Sequence, residues 1–392
     1  MLKEYLQIIK KPNIWISSLS LFLLLSSAST WVFVLPIFLR DLGASQEQVG
    51  TAYFAFLLSF SLFQALGGFL GDRYGRKKII ALPTFILPVV YIAAAFSKDW
   101  ITIMVYLTIG NLIQGLQAPS IYALIAESVE SKDLGLGFSI LEIAISASYV
   151  AGPFIGMFFS SSEQGIRNMM ILTGIVMIPC GFLRWVGLKD SVEHSAFKIK
   201  IGDIIKSFNP NLILLLFAFI FFYMMLDATF YGPFLSQYAK DQIGLTNSSI
   251  QALIMLAALA SIFFNFINGK LTGKLGSRKS LIIGSLGHVL LFLPWLFSNN
   301  LFTAALCFIP SYLFMQLSYI GHDTIMSDLT SVRTRSTIMG IFSMVPGILG
   351  SLSPEIGSRI AVIYGPKAPF YMAVVFGLIA ATLLVPIKSK RI

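Results

Sequence analysis

Four carboxylates lie where water is scarce. Of the 18 Asp and Glu residues in this 392-residue chain, Glu142, Asp227, Asp323 and Glu355 fall inside long apolar runs. A charged side chain at the centre of a bilayer costs at least ~2.5–3.5 kcal/mol, so an acid there is a candidate for handling protons or cations. A carboxyl taken out of water favours its neutral form, and a group that loads and unloads a proton needs that form within reach. Asp227 is the best placed. Tyr223 and Tyr231 stand four residues before and after it, on one helical face. Tyr312, Gln316, Tyr319 and Asp323 make a second one-face stripe, with His322 beside it. Simpler roles stay open: Asp323 as a solvated residue near an interface, Glu142 as a hydrogen-bond partner of a neighbouring helix, and Glu355 as part of an outer vestibule. Trp31, with Ser27, Thr30 and Val34, forms either a cavity face or a face packed against lipid. His288 reads as structural.

The elements that must position these residues are membrane helices. The chain is 56% hydrophobic and 12% charged, against about 25% charged in soluble domains. Runs long enough to cross ~30 Å of hydrocarbon recur at 14–38, 47–71, 79–96, 101–126, 134–160, 167–187, 210–234, 247–270, 281–298, 301–325, 336–361 and 368–387. The reading is an all-α membrane protein. Residues 1–188 and 210–392 form two six-helix bundles, and the polar stretch 189–209 links them. Of the 28 Lys and Arg residues, all but Arg40, Lys98, Arg167, Lys240, Arg359 and Lys367 fall on one side of these spans. That bias places both termini in the cytoplasm. By these boundaries no Lys or Arg lies deep in a span.

The net charge of +10 is sorted by membrane side rather than gathered into a face, which argues against nucleic-acid binding. Cys180 and Cys307 both fall in apolar runs, so no disulfide framework is expected. The short basic stretch Met1–Asn13 leads straight into a full-length span, so the first helix is expected to serve as its own insertion signal. No phosphate-binding loop, metal-ligand cluster or nucleophile constellation is visible, so no enzyme activity, metal or cofactor is expected.

A repeat organises the spans. Gly68-Phe-Leu-Gly71-Asp72-Arg73-Tyr-Gly75-Arg76-Lys77-Lys78 returns, degraded, 201 residues later as Gly269-Lys-Leu-Thr-Gly273-Lys274-Leu-Gly276-Ser277-Arg278-Lys279. Gly152-Pro153-Phe-Ile-Gly156 matches Ser353-Pro354-Glu355-Ile-Gly357, and Glu127 matches Asp328, at the same spacing. Two halves of six spans each share one topology, which is a parallel repeat. The first turn, G-x-x-x-D-R-x-G-R-K, resembles the loop signature of the major facilitator superfamily. The span-five Gly-Pro-x-x-Gly resembles a motif of its drug:proton antiporter branch, although Ala147, Ser148 and Ala151 stand where that family carries further glycines.

The resemblance implies more than the residues alone do. In that family helices one, four, seven and ten line a central cavity, so Trp31, Asn111, Gln114, Tyr223, Tyr231, Tyr312, Gln316, Tyr319 and His322 become substrate-cavity candidates. Asp72 would contact the start of helix eleven and favour the outward-facing state. Gly273 has no carboxylate to repeat that latch. Drug antiporters read R-x-x-Q-G in span four, whereas this chain reads Asn111-Leu-Ile-Gln114-Gly115. With that arginine absent, proton coupling falls to Asp227, joined by Glu142, Asp323 or Glu355. The implied function is alternating-access, proton-coupled efflux of small amphipathic or cationic compounds across the plasma membrane by a monomer. Uptake of a small polar nutrient, lipid translocation and a transporter-like sensor are the alternatives.

Overall fold

In the computed structural model the described residues are 7–130, 133–190, 209–329 and 335–387, and no strand occurs among them. Eleven of their helices are long and apolar enough to cross a membrane, and Ala368–Leu384 is a shorter apolar helix in the twelfth position. Most of the expected linker and the C-terminal basic residues lie outside the described residues. Span ends agree with the expected ones to within a few residues, except the seventh, which continues to Asp241.

Local chemistry sets the ends. Asp99, Ser162, Asn209 and Thr246 each accept a hydrogen bond from a backbone N–H of the first turn, at 2.9, 3.0, 3.0 and 3.1 Å. These N-caps supply partners that a starting helix cannot provide for itself. Gly75 and Gly276, equivalent positions of the repeated turn, have φ of +97° and +83°. Only glycine adopts that backbone without steric cost, so the turn between second and third spans, and between eighth and ninth, requires it.

Two spans are broken at corresponding places. The first runs as Pro12–Ser29, then a 3-10 turn at Val32–Val34, then Leu35–Asp41. The seventh runs as Pro210–Leu226, a π-turn at Asp227–Tyr231, a bend at Gly232-Pro233, then Phe234–Asp241. Trp31 and Gly232, within the two breaks, stand 201 residues apart. Unwound backbone inside a membrane persists only where protein or a water-filled cavity surrounds it.

The chain forms two compact units, Met1–Gly43 with Ser59–Ala196, and Ala44–Leu58 with Phe197–Ile392. The early part of the second span therefore groups with the later half of the sequence. In the first unit, glycines let helices touch: Gly67 abuts the Leu116 backbone and Gly115 the Phe60 backbone. In the second unit, Gly284 abuts Ser318 and Gly321 abuts Leu281, joining the ninth and tenth spans. Large apolar side chains such as Phe96, Phe158, Phe263 and Phe302 are exposed, an arrangement suited to hydrocarbon rather than water.

Candidate functional site

Asp227 opens the π-turn, about halfway along the span Pro210–Asp241. Single π-turns within helices concentrate at functional positions. The residue is 7% exposed, and no hydrogen bond or counter-charge reaches its carboxyl among the described residues. Gly350 in the eleventh span makes room for it. A Cβ at Gly350 would lie 3.0 Å from Tyr223 Cβ and 3.3 Å from Asp227 Oδ2. One turn on, Ser353 donates to the Met224 carbonyl at 2.9 Å, fixing the eleventh span against the seventh just before the turn.

Tyrosines surround this carboxylate. Tyr223 and Tyr319 lie within its electrostatic reach, and Tyr319 and Tyr231 share a hydrogen bond. Phe222 packs edge-on against Tyr319 at 5.7 Å. The structure thus brings Tyr223, Asp227, Tyr231 and Tyr319 together. Tyr312 is instead buried against Phe230 and Phe308, with centroids at 5.3 and 6.1 Å. Gln316 is half-buried beside it. Toward the other end of the tenth span, His322 stacks on Phe219 at 3.9 Å and its Nδ1 lies 2.8 Å from Asp323 Oδ1. Asp323 is exposed, which fits the solvated reading better than a buried proton site.

The other expected acids differ from Asp227. Glu355 accepts from Thr51 Oγ1 at 2.8 Å and pairs with Arg359 at 2.6 Å. Its charge is already compensated, so it lacks the uncompensated carboxylate expected of a coupling group. Glu142 is exposed on the fifth span and interacts electrostatically with Tyr149. In the first unit, Trp31 departs from the expected cavity face. It is buried, its indole N–H donates to Thr173 Oγ1 at 3.0 Å, and its ring meets Tyr91 edge-on at 6.1 Å. A buried indole N–H needs an acceptor, and Thr173 in the sixth span supplies it. Gln114 donates to the Tyr91 hydroxyl at 3.1 Å, extending that network to the fourth span, while Asn111 donates to the Leu107 carbonyl of its own helix at 2.9 Å.

The repeated turn is held from several sides. Asp72 pairs with Arg76, which also contacts Glu127 at 3.3 Å. Asp190, just beyond the sixth span, accepts from the Lys77 N–H at 2.8 Å. Of the neighbouring glycines, Gly71 lies close against Ser120, whereas Gly68 meets Pro119 only at ordinary contact distance. Arg73 stacks over Tyr74 at 5.3 Å. In the fifth span Pro153 lies within the continuous helix Leu134–Phe159, and Gly152 abuts Ser26 and Ser29 of the first span. Gly156 is buried one turn on.

The Major Facilitator Superfamily pattern matches residues 16–226 and again 217–391, nearly the whole chain in two successive halves. The chain belongs to that superfamily. It is 26% identical over 373 residues to the multi-drug resistance efflux pump PmrA of Streptococcus pneumoniae, covering 92% of each chain. To the quinolone resistance protein NorA of Staphylococcus aureus it is 24% identical over 395 residues, covering 97% of each. Its fold superposes on a D-xylose-proton symporter with a TM-score of 0.74 at 14% identity, covering 97% of this chain and 98% of that one. As a superfamily member it is a multi-span membrane transporter of small molecules.

Two further polar residues are central to this superfamily member's interior. Arg184, three residues before the end of the sixth span, is 1% exposed inside the first unit, a burial that its position near a span end does not reveal. It donates to Ser20 Oγ and Thr84 Oγ1 at 2.9 Å and to Gln117 Oε1 at 3.2 Å. The signal was available: Ser20, Thr84 and Gln117 are polar residues in three different apolar spans. Together they satisfy most of the guanidinium, although Nη2 is buried without a partner among the described residues. His288, expected to be structural, is the second, joined to the seventh and tenth spans by hydrogen bonds.

Proposed function

We propose that this transporter is a proton-coupled exporter of small amphipathic or cationic compounds, with Asp227 as its coupling residue. One observation carries the reading: Asp227 is a mid-span carboxylate enclosed by tyrosines, with neither hydrogen bond nor counter-charge among the described residues. A carboxyl so placed holds its charge at a high cost, so a proton and a cationic substrate compete for the same oxygens. Rings around the site attract the same cations through their faces. Exchange then follows from alternating access: substrate leaves as a proton enters from one side, and the proton leaves on the other. One charge crossing 100 mV supplies ~2.3 kcal/mol, about fiftyfold in concentration.

The names of PmrA and NorA, similar over nearly the whole chain, support the outward direction. Two six-helix bundles at 1–188 and 210–392, a cytoplasmic linker at 189–209, both termini inside and the cell membrane as location complete the proposal. The Lys and Arg asymmetry supports the orientation. Asp72 is the proposed latch acid of the first half. The test is the direction of flux in proteoliposomes under an imposed pH gradient, with tetraphenylphosphonium and a sugar as probes. Cation movement against the proton flow supports export; sugar movement with it would replace this reading by nutrient uptake.

A further inference from the structure

The turn that presents Asp227 is tied to the rest of its unit by a side chain that the coupling scheme does not use. His288 sits midway along the ninth span and is 1% exposed. Its Nε2 lies 2.8 Å from Thr229 Oγ1, and Thr229 is part of the π-turn, two residues from Asp227. On the other side of the ring, Nδ1 lies 2.8 Å from Ser311 Oγ and 3.1 Å from the Ser311 carbonyl of the tenth span. The imidazole therefore bridges three spans, and one end of the bridge is the turn itself.

Proton counting links the ring to the turn's backbone. Thr229 Oγ1 is also 2.9 Å from the Met225 carbonyl, and a hydroxyl has one proton to give. When that proton goes to Met225, His288 must donate through Nε2–H to the Thr229 oxygen. When Nε2 instead accepts, the Thr229 proton turns to the ring and the Met225 carbonyl loses it. Met225 lies two residues before Asp227, where the helix changes from its α to its π pattern. Which proton the ring carries and how the turn is bonded are therefore one variable.

We propose that His288 and Thr229 are positioning residues for Asp227, holding the π-turn in the form that aims the carboxyl. The inference rests on Asp227 being the coupling residue. Neither side chain is assigned contact with substrate or with the transported proton.

Thr229→Val removes the hydroxyl at nearly unchanged volume, and Thr229→Ser keeps it. His288→Gln is the second probe, because its amide retains a donor and an acceptor. Each variant is reconstituted in proteoliposomes, matched for folded protein by size-exclusion, and assayed for pH-gradient-driven tetraphenylphosphonium transport. Thr229→Val is expected to lower the maximal rate about tenfold while leaving the half-saturation concentration within about twofold, and Thr229→Ser to restore most of the rate. The infrared band of the protonated Asp227 carboxyl, identified by its loss in Asp227→Asn, is expected to shift in Thr229→Val and not in Thr229→Ser. Wild-type rate and an unshifted band in Thr229→Val would overturn the inference, as would equal losses in the Val and Ser variants. If Asp227→Asn abolishes gradient-driven transport while Thr229→Val and His288→Gln do not, this inference fails and the coupling role of Asp227 stands. If Asp227→Asn transports normally, the coupling role itself fails.

Discussion

Gly350 lies directly against Asp227, close enough that a methyl group there would sit 3.3 Å from the carboxylate oxygen and 3.0 Å from Tyr223 Cβ. The glycine is a spatial requirement of the site rather than of the backbone, since it lies within the helix Arg335–Gly350. Gly350→Ala is expected to reduce gradient-driven transport modestly. Gly350→Val should abolish most of it, because overpacking costs roughly 1–3 kcal/mol and the nearest atoms to move belong to the site. Transport normalised to folded protein measures this; equal rates in both variants would remove Gly350 from the site.

Arg184 fastens the first unit. Its guanidinium reaches Ser20, Thr84 and Gln117 on three spans at once, a geometry that a planar fork of donors satisfies and an ammonium does not. Arg184→Lys is therefore expected to destabilise by about 1.5–3 kcal/mol, the value of a lost charge-assisted bond. The melting temperature in detergent reads it. A Lys variant that melts with the wild type would show that charge alone, not the fork, matters there.

Acid should loosen the start of the fourth span. Asp99 is exposed, and hydrogen bonds from the Thr102 backbone and hydroxyl hold its carboxyl below the usual carboxylate range. A group depressed in the folded state stabilises above its unfolded value, and that contribution disappears as pH falls through the folded value. The melting difference between wild type and Asp99→Ala should be largest near neutrality and narrow below the ordinary aspartate range. A difference independent of pH would contradict the assignment.

Much of the fold was legible because membrane physics writes it into composition. Spans, their number and the doubled Gly75 turn follow from apolar length and from a spacing of 201 residues. The site was legible only in part. Asp227 with Tyr223 and Tyr231 could be read from helical periodicity, although the helix between them becomes a π-turn. Gly232-Pro233, directly after it, was the visible sign of a break. The partners Thr173 of Trp31 and Thr51 of Glu355 lie on other spans and depend on helix packing that periodicity does not contain, whereas Arg359, four residues after Glu355 on its own helix, was within reach of periodicity. Arg184 stands near a span end in the sequence, whereas its burial is set by three polar partners on other spans.

The central claim is that Asp227 carries the coupling proton. The most direct measurement is pH-gradient-driven tetraphenylphosphonium transport by Asp227→Asn in proteoliposomes, alongside equilibrium exchange of the same cation without a gradient. Asn keeps the size and polarity of the side chain but cannot take up or release a proton in this range. The account predicts that gradient-driven accumulation is lost while the folded protein is retained. Full accumulation by Asp227→Asn would contradict it.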